Sequence, residues 1–469
     1  MGAGVSNWEL ARAVSVTGQL GVVSGIALEI LMTQRLSTGD QGGHVRRALA
    51  AFPDQGIAER ILSTYFKGSD PGKVPARLPR SHRLGEPAEL TQETIAAAFA
   101  EIFLAKEGHA NPVGINLLTK IQLPILASLY GAMLANVDFV IMGAGIPREI
   151  PGILDRLAGH QDVSMAVQVE DANGDEYRVS LRPRELVDIS AGQLVRPRFY
   201  PIVSSNLLAT TMVRKATGRV DGLVVEGRIA GGHNAPPRGE LTLDGEGEPV
   251  YGPKDEVDIE RIAGLGLPFY LGGAYGLPGK LKEALAAGAR GVQVGSLFAF
   301  CRESGLAASL KEAAIGRIAR GFGKVVTDTL VSPTGFPFKV FELEGTLSDV
   351  AEYLTRPRVC DFGFLRRLYR REDGSVGYRC PAEPEANWIA KGGTPEELEG
   401  RKCLCNALLA NLGQFRERAG GYMEKPLLTL GGCVEQVRML IAQVGEQFSA
   451  SDVIDYLLRD LIPESVPAR

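Results

Sequence analysis

The sequence predicts an α/β protein: a parallel TIM (β/α)8 barrel whose first strand is missing upstream of Met1, followed by an α-rich C-terminal extension. Three observations predict it. Strand-like apolar runs alternate with helical periodicity from the first residues to about residue 330. Three consecutive runs end in glycine: Val220-Asp-Gly-Leu-Val-Val-Glu-Gly-Arg-Ile-Ala-Gly-Gly-His233, Pro268-Phe-Tyr-Leu-Gly-Gly-Ala274 and Gly291-Val-Gln-Val-Gly-Ser296. Finally, Ser6-Asn-Trp-Glu9 followed by Leu10, Ala11 and Val14 reads as a capping box, so the chain opens on a helix where a barrel should open on a strand.

In chain order, the predicted strands are Leu20–Ser24, Val113–Leu117, Phe139–Gly143, Tyr200–Ser204, Leu223–Gly227, Phe269–Gly273 and Val292–Gly295. An eight-stranded barrel needs one more to close its hydrogen-bond ladder. We expect the start at Met1 to be internal to a longer reading frame, with Met1-Gly-Ala-Gly-Val-Ser6 as the turn that follows the missing strand. Residues 26–110 exceed a single βα connection and carry helical stretches at Ile57–Phe66 and Leu90–Lys106, which predicts a helical insertion. A hairpin insertion is expected over 163–195, where Met165–Asp171 and Tyr177–Leu181 flank the Asn-Gly turn of Ala172-Asn-Gly-Asp175. The barrel is thus assigned to 1–340 and the extension to 341–469, with no further parallel strands.

Composition narrows the function classes. The net charge of −4 comes from interspersed charges, which provide no basic face for nucleic acid. No apolar run reaches the ~20 residues of a membrane span, and the N-terminus lacks the pattern of a secretion signal. A cytoplasmic protein acting on a small molecule is expected.

The glycine-ended strands point to a phosphate. In a parallel barrel, the loops after the last strands present backbone N–H groups, and glycine lets the backbone come close to a phosphate. Gly272, Gly273, Gly295 and Ser296 stand at those positions. His233, preceded by Gly231 and Gly232, falls just past a strand end, at the barrel mouth where catalytic side chains sit.

With Glu226-Gly-Arg-Ile-Ala-Gly-Gly-His233, Gly272-Gly273 and Gln293-Val-Gly-Ser296 in this order, the chain resembles the nitronate monooxygenase (2-nitropropane dioxygenase-like) family of FMN-dependent barrels over roughly residues 1–330. FMN-dependent enoyl-acyl-carrier-protein reductases, including those of polyketide and polyunsaturated fatty-acid synthases, are similar in fold and motifs. The resemblance implies one FMN, with Asn116 and Gln293 at the isoalloxazine or ribityl edge and Glu226, Gly231 and Gly232 lining the cofactor site. It implies catalysis at His233: proton abstraction from, or binding of, a nitronate oxidised with O2. The alternative is an enoyl thioester reduced with NAD(P)H, and an acyl carrier protein would then be a partner. A second alternative is a flavin-binding, non-catalytic synthase subunit. A homodimer is also compatible. Where the nitronate enzymes usually carry glutamine this chain has Glu226, whose carboxylate opposes an anionic reduced flavin unless it is paired or protonated; some enoyl reductases look like this too, and the departure favours that branch.

The extension carries Cys360, Cys380, Cys403, Cys405 and Cys433. Four thiolates can close a zinc site or hold an iron–sulfur cluster, but Cys403-Leu-Cys405 lacks the two-residue gap of zinc ribbons. The first four are read as small buried residues rather than metal ligands, and Cys301 as core. Thr334-Gly-Phe-Pro-Phe338 reads as a turn with aromatic packing, the alternative being a cover over the flavin end of the barrel. The pairs Arg366-Arg367 and Arg370-Arg371 read as a solvated helix face, the alternative being a carrier-protein patch.

Overall fold

The computed structural model describes residues 2–69, 77–189, 192–413, 418 and 420–461. Seven parallel strands form one sheet in strictly sequential order: β1 (Gly21–Ser24), β2 (Val113–Leu118), β3 (Phe139–Gly143), β4 (Arg198–Val203), β5 (Leu223–Glu226), β6 (Phe269–Gly272) and β7 (Gly291–Gln293). Each predicted strand is present, its bounds shifted by at most two residues.

The two-residue period of a strand sorts the side chains onto two faces. Val23, Ile115, Val140, Phe199, Val225 and Leu271 face outward and are buried beneath the helices. Phe199 and Phe269 are 0% and 2% exposed, a burial worth about 2–3 kcal/mol for each ring. Val22 of β1, Phe139 and Ile141 of β3, Tyr200 and Ile202 of β4, Val224 of β5 and Tyr270 of β6 instead meet in a single inner cluster. Side chains of β1 and β6 touch the same cluster only because the sheet curls on itself. The fold is therefore an α/β barrel. Its ring is open, since β1 and β7 do not pair.

Ser6 explains how the open edge is tolerated. Its hydroxyl donates to the Val22 carbonyl at 2.6 Å, and its carbonyl accepts the Ser24 N–H at 2.8 Å. Ser6 is thus spent on the strand edge and does not cap the first helix, contrary to the capping-box expectation. Asn7 caps Trp8–Ser15 instead, its side chain accepting the Leu10 N–H at 2.9 Å. Met1 lies outside the described residues.

Between β1 and β2 the described residues form helices at Leu28–Ser37, His44–Ala50, Gln55–Tyr65 and Ala88–Lys106. The hairpin pairs Val163–Val167 with Tyr177–Leu181 through a turn in which Asn173 and Gly174 have φ of 52° and 92°. Residues 190–191 of that insertion lie outside the described residues. No described helix is long and apolar enough to cross a membrane.

Beyond the barrel, Val325–Asp328 pairs antiparallel with Phe338–Phe341, and helices at Val350–Thr355, Glu385–Ala390, Leu404–Ala410, Glu435–Val444 and Ala450–Leu458 follow. Two expectations need correcting here. The arginine pairs lie on a hairpin, Arg367–Arg370 with Val376–Arg379, and not on a helix face. That hairpin also pairs in parallel with Val169–Glu170, so the extension does add a parallel strand contact. The guanidinium groups are engaged: Arg367 and Arg379 on Glu170, Arg366 on the His82 carbonyl and Arg370 on Asp175. The extension shares its packing with the barrel. Leu404, Ala407 and Leu427 bury Ile121 of the β2 loop, while Val437, Leu440 and Ile454 pack with Leu10, Val14 and Leu297.

Candidate functional site

A cavity of about 680 Å³ opens at the C-terminal ends of the strands and runs into the barrel. It falls within the ~300–1,000 Å³ of small-molecule and cofactor sites. The inner-face parity that points Val224 inward also points Glu226 inward, and Asn116 and Gln293 line the same space from β2 and β7. Gly231, Gly232, His233, Gly273, Gly295 and Ser296 line it as well. Gly272 does not, because it remains within β6, where its carbonyl accepts the Gly227 N–H at 3.2 Å.

The glycines differ in what demands them. Gly273 has φ +96°, a left-handed conformation that side chains resist, and a Cβ there would stand 3.4 Å from the Ala230 nitrogen. Gly295 has open space where a side chain would lie, which leaves its backbone approachable from the cavity. At Gly231 the close approach comes from the extension, since a Cβ would meet the Leu430 carbonyl carbon at 2.9 Å. Ser296 Oγ accepts the Gly431 N–H at 2.9 Å and keeps its own proton for another acceptor.

Asn116 is 3% exposed and its amide donates to the Ile141 carbonyl at 3.3 Å. Glu226 has no hydrogen bond to any described residue. Burial penalises its charged form and pushes it up to about 7, so a carboxyl facing the cavity is about half protonated at neutral pH. These features fit a flavin phosphate at the glycine loops and a ring among Asn116, Glu226 and Gln293. Protonation also removes the charge conflict that Glu226 raised.

His233 forms an isolated bridge with Phe338, whose ring meets the imidazole edge-on at 4.9 Å and 73°. Nε2 lies 2.7 Å from Ser332 Oγ, and Nδ1 makes no hydrogen bond to a described residue. Burial, aided by the charge of Lys120, lowers the imidazole to about 3, so His233 is neutral at physiological pH. Lys120 is itself lowered to about 7 by burial, its Nζ resting 3.2 Å from the centre of the Phe336 ring. The 334–338 turn thus contacts both side chains, Phe338 meeting His233 and Phe336 meeting Lys120.

Sequence reasoning missed Lys120 and Ser332, and it missed the roof. Thr429, Leu430, Gly431, Gln436, Leu404 and Cys405 of the extension line the same cavity. Thr429 Oγ1 accepts the Gly232 N–H at 3.0 Å, and the Ile229 carbonyl accepts the Gly432 N–H at 2.7 Å. Cys380 and Cys403 share a small buried cluster with Ala382, against which Cys405 packs, and Cys301 is fully buried. Among the described residues no three His, Cys, Asp or Glu side chains are arranged to hold a metal ion.

No protein-family model and no curated protein matches this chain. Solved structures do. A FabK from Thermotoga maritima is 16% identical with a TM-score of 0.47, the match covering 98% of this chain and 89% of the other. A nitroalkane oxidase from Streptomyces ansochromogenes is 15% identical with a TM-score of 0.45, over 98% and 93%. The enoyl reductase domain of MlnA from Bacillus amyloliquefaciens is 12% identical with a TM-score of 0.43, over 98% and 94%.

Proposed function

We propose that the protein is an FMN-dependent oxidoreductase and that it reduces an enoyl thioester with NAD(P)H. The observation that carries this reading is the buried Glu226 carboxyl, held above the usual carboxylate range, in the cavity beside a neutral His233. A buried, partly ionised carboxyl in the cavity disfavours an anionic nitronate, since like charges repel strongly where water is excluded. A neutral thioester meets no such penalty.

When bound, FMN would supply two-electron chemistry between NAD(P)H and the substrate. The chain supplies the rest. Reduction of the enoyl double bond adds a hydride at one carbon and a proton at the other, and protonated Glu226 is a proton source facing the cavity. The open Nδ1 of His233 can hydrogen-bond the thioester carbonyl when it bears the proton, and Asn116 and Gln293 supply amides to the ring edge. Leu404, Leu408, Phe338 and Phe364 of the roof exclude water.

Nitronate oxidation with O2 remains the second reading, favoured by one observation: Lys120 places positive charge near His233, which would offset an anionic substrate. Anaerobic reduction separates the two. The purified protein is mixed in separate samples with NADPH and with an alkyl nitronate, and bleaching of the flavin absorbance is followed. Bleaching by NADPH, reversed by a crotonyl thioester, supports the reductase. Bleaching by nitronate alone overturns it.

A further inference from the structure

Ser332 is fully buried, and its hydroxyl sits at the centre of a polar chain that ends at the cavity. Oγ is 2.7 Å from His233 Nε2 and 2.8 Å from Thr334 Oγ1, and it accepts the Thr334 backbone N–H at 3.3 Å. The loop that presents it is held at both ends. Asp328 accepts the N–H groups of Leu330 and Val331 at 2.7 and 2.9 Å, and Arg401 donates to the Leu330 and Ser332 carbonyls at 2.7 and 2.6 Å. So many hydrogen bonds on one short loop leave the buried serine little freedom to move.

A hydroxyl has one proton and two lone pairs, so it is suited to a ring that changes protonation state. When Ser332 donates to Nε2, the imidazole carries its proton on Nδ1 and offers a donor to the cavity. When the hydroxyl turns toward Thr334 Oγ1, Nε2 donates to Ser332 and Nδ1 is a bare acceptor. An imidazolium also finds its acceptor in the second arrangement. No backbone carbonyl could serve all three states, because it never donates.

We propose that Ser332, backed by Thr334, is the positioning residue of His233, a hydroxyl rotor that sets the tautomer and so decides whether Nδ1 donates to or accepts from the substrate. The inference rests on the reading of His233 as the substrate-contacting group. The charged side chain acting on that imidazole among the described residues is Lys120, so its state is held constant by working at one pH.

The test uses the flavin-loaded protein with 15N-labelled histidine, for which imidazole nitrogen shifts report the tautomer without turnover. Wild type is expected to show one dominant His233 tautomer, identified by its loss in His233→Ala. Ser332→Ala should give a mixture of tautomers and lower kcat by about tenfold, the worth of one hydrogen bond, with KM within about twofold. Thr334→Val should shift the tautomer ratio toward Ser332 donation. An unchanged tautomer in Ser332→Ala overturns the proposal. If Ser332→Ala fails to fold, an unchanged ratio in Thr334→Val overturns it. Should His233→Ala turn over normally, the catalytic reading falls, yet the nitrogen shifts still decide whether Ser332 sets the ring.

Discussion

The backbone N–H of Gly431 donates to the hydroxyl of Ser296 at 2.9 Å, joining the extension to the glycine loop assigned to the phosphate. A Cβ on residue 431 would stand 3.1 Å from the Ile229 carbonyl oxygen and 3.2 Å from Ser296 Oγ. Gly431→Val should therefore push the two loops apart and weaken flavin binding by at least about tenfold, one hydrogen bond's worth. Flavin content of the purified variant checks it, and full occupancy would detach the extension from the cofactor site.

Gly272 and Gly273 are adjacent and should respond oppositely. A Cβ at 272 meets Gln293 and Val225 at 3.7 Å, ordinary contact, whereas residue 273 has φ +96°. Gly272→Ala is expected to keep its flavin. Gly273→Val, forced into a left-handed conformation at a cost of roughly 1–3 kcal/mol, should lose most of it. Titration of both apoproteins with FMN distinguishes them.

The parallel strands were legible because buried runs such as Phe139–Gly143 and Leu223–Glu226 are both apolar and closed by glycine, a local signal. Asn116, Glu226 and Gln293 were reached through the family resemblance, whose motifs lie on those strands, and not from periodicity. Ser332 and Gly431 were not, since each meets its partner across a sequence separation of 99 and 135 residues, and nothing periodic announces such a contact. The arginine pairs misled because a four-residue strand, Arg367–Arg370, is too short to display its own period. Ser6 misled for another reason: its side chain fits a cap, but the unpaired edge of β1 claims it.

His233→Ala should lower turnover by about 10²–10⁴-fold, the range for losing a positioned acid–base group. Flavin should stay, because the imidazole is held by Ser332 and Phe338 and not by the glycine loops. Steady-state rates and bound-flavin absorbance on the same preparation check both halves. Loss of flavin together with turnover would mean that the ring serves the cofactor site instead.

Glu226 links stability to pH. Its folded value near 7 lies above the unfolded 4.5, so between those values the folded state binds more protons than the unfolded state. Stability from this group is therefore highest below about 4.5 and falls as pH rises through 7. Glu226→Gln removes the titration. The variant should match wild type at about pH 4 and exceed it at about pH 8 by on the order of 1–3 kcal/mol. Denaturant melts at the two pH values read the difference, and equal gaps at both would show that burial does not tax the charge.

Two groups near the site titrate close to 7, and they should not contribute equally to the rate. Glu226 lines the cavity, whereas the Lys120 ammonium is turned onto the face of Phe336 and is not part of the cavity wall. A step that takes its proton from Glu226 loses rate as pH rises through 7, because the donor becomes a carboxylate. Deprotonation of Lys120 over the same range withdraws a charge that lowers His233, but that imidazole stays neutral on either side of the change. The alkaline limb of kcat against pH should therefore vanish in Glu226→Gln, with a rate about 10²-fold lower and flat. In Lys120→Met the limb should remain in place. A limb that disappears with Lys120 and survives the loss of Glu226 would move the proton source from the strand end of β5 to the loop after β2.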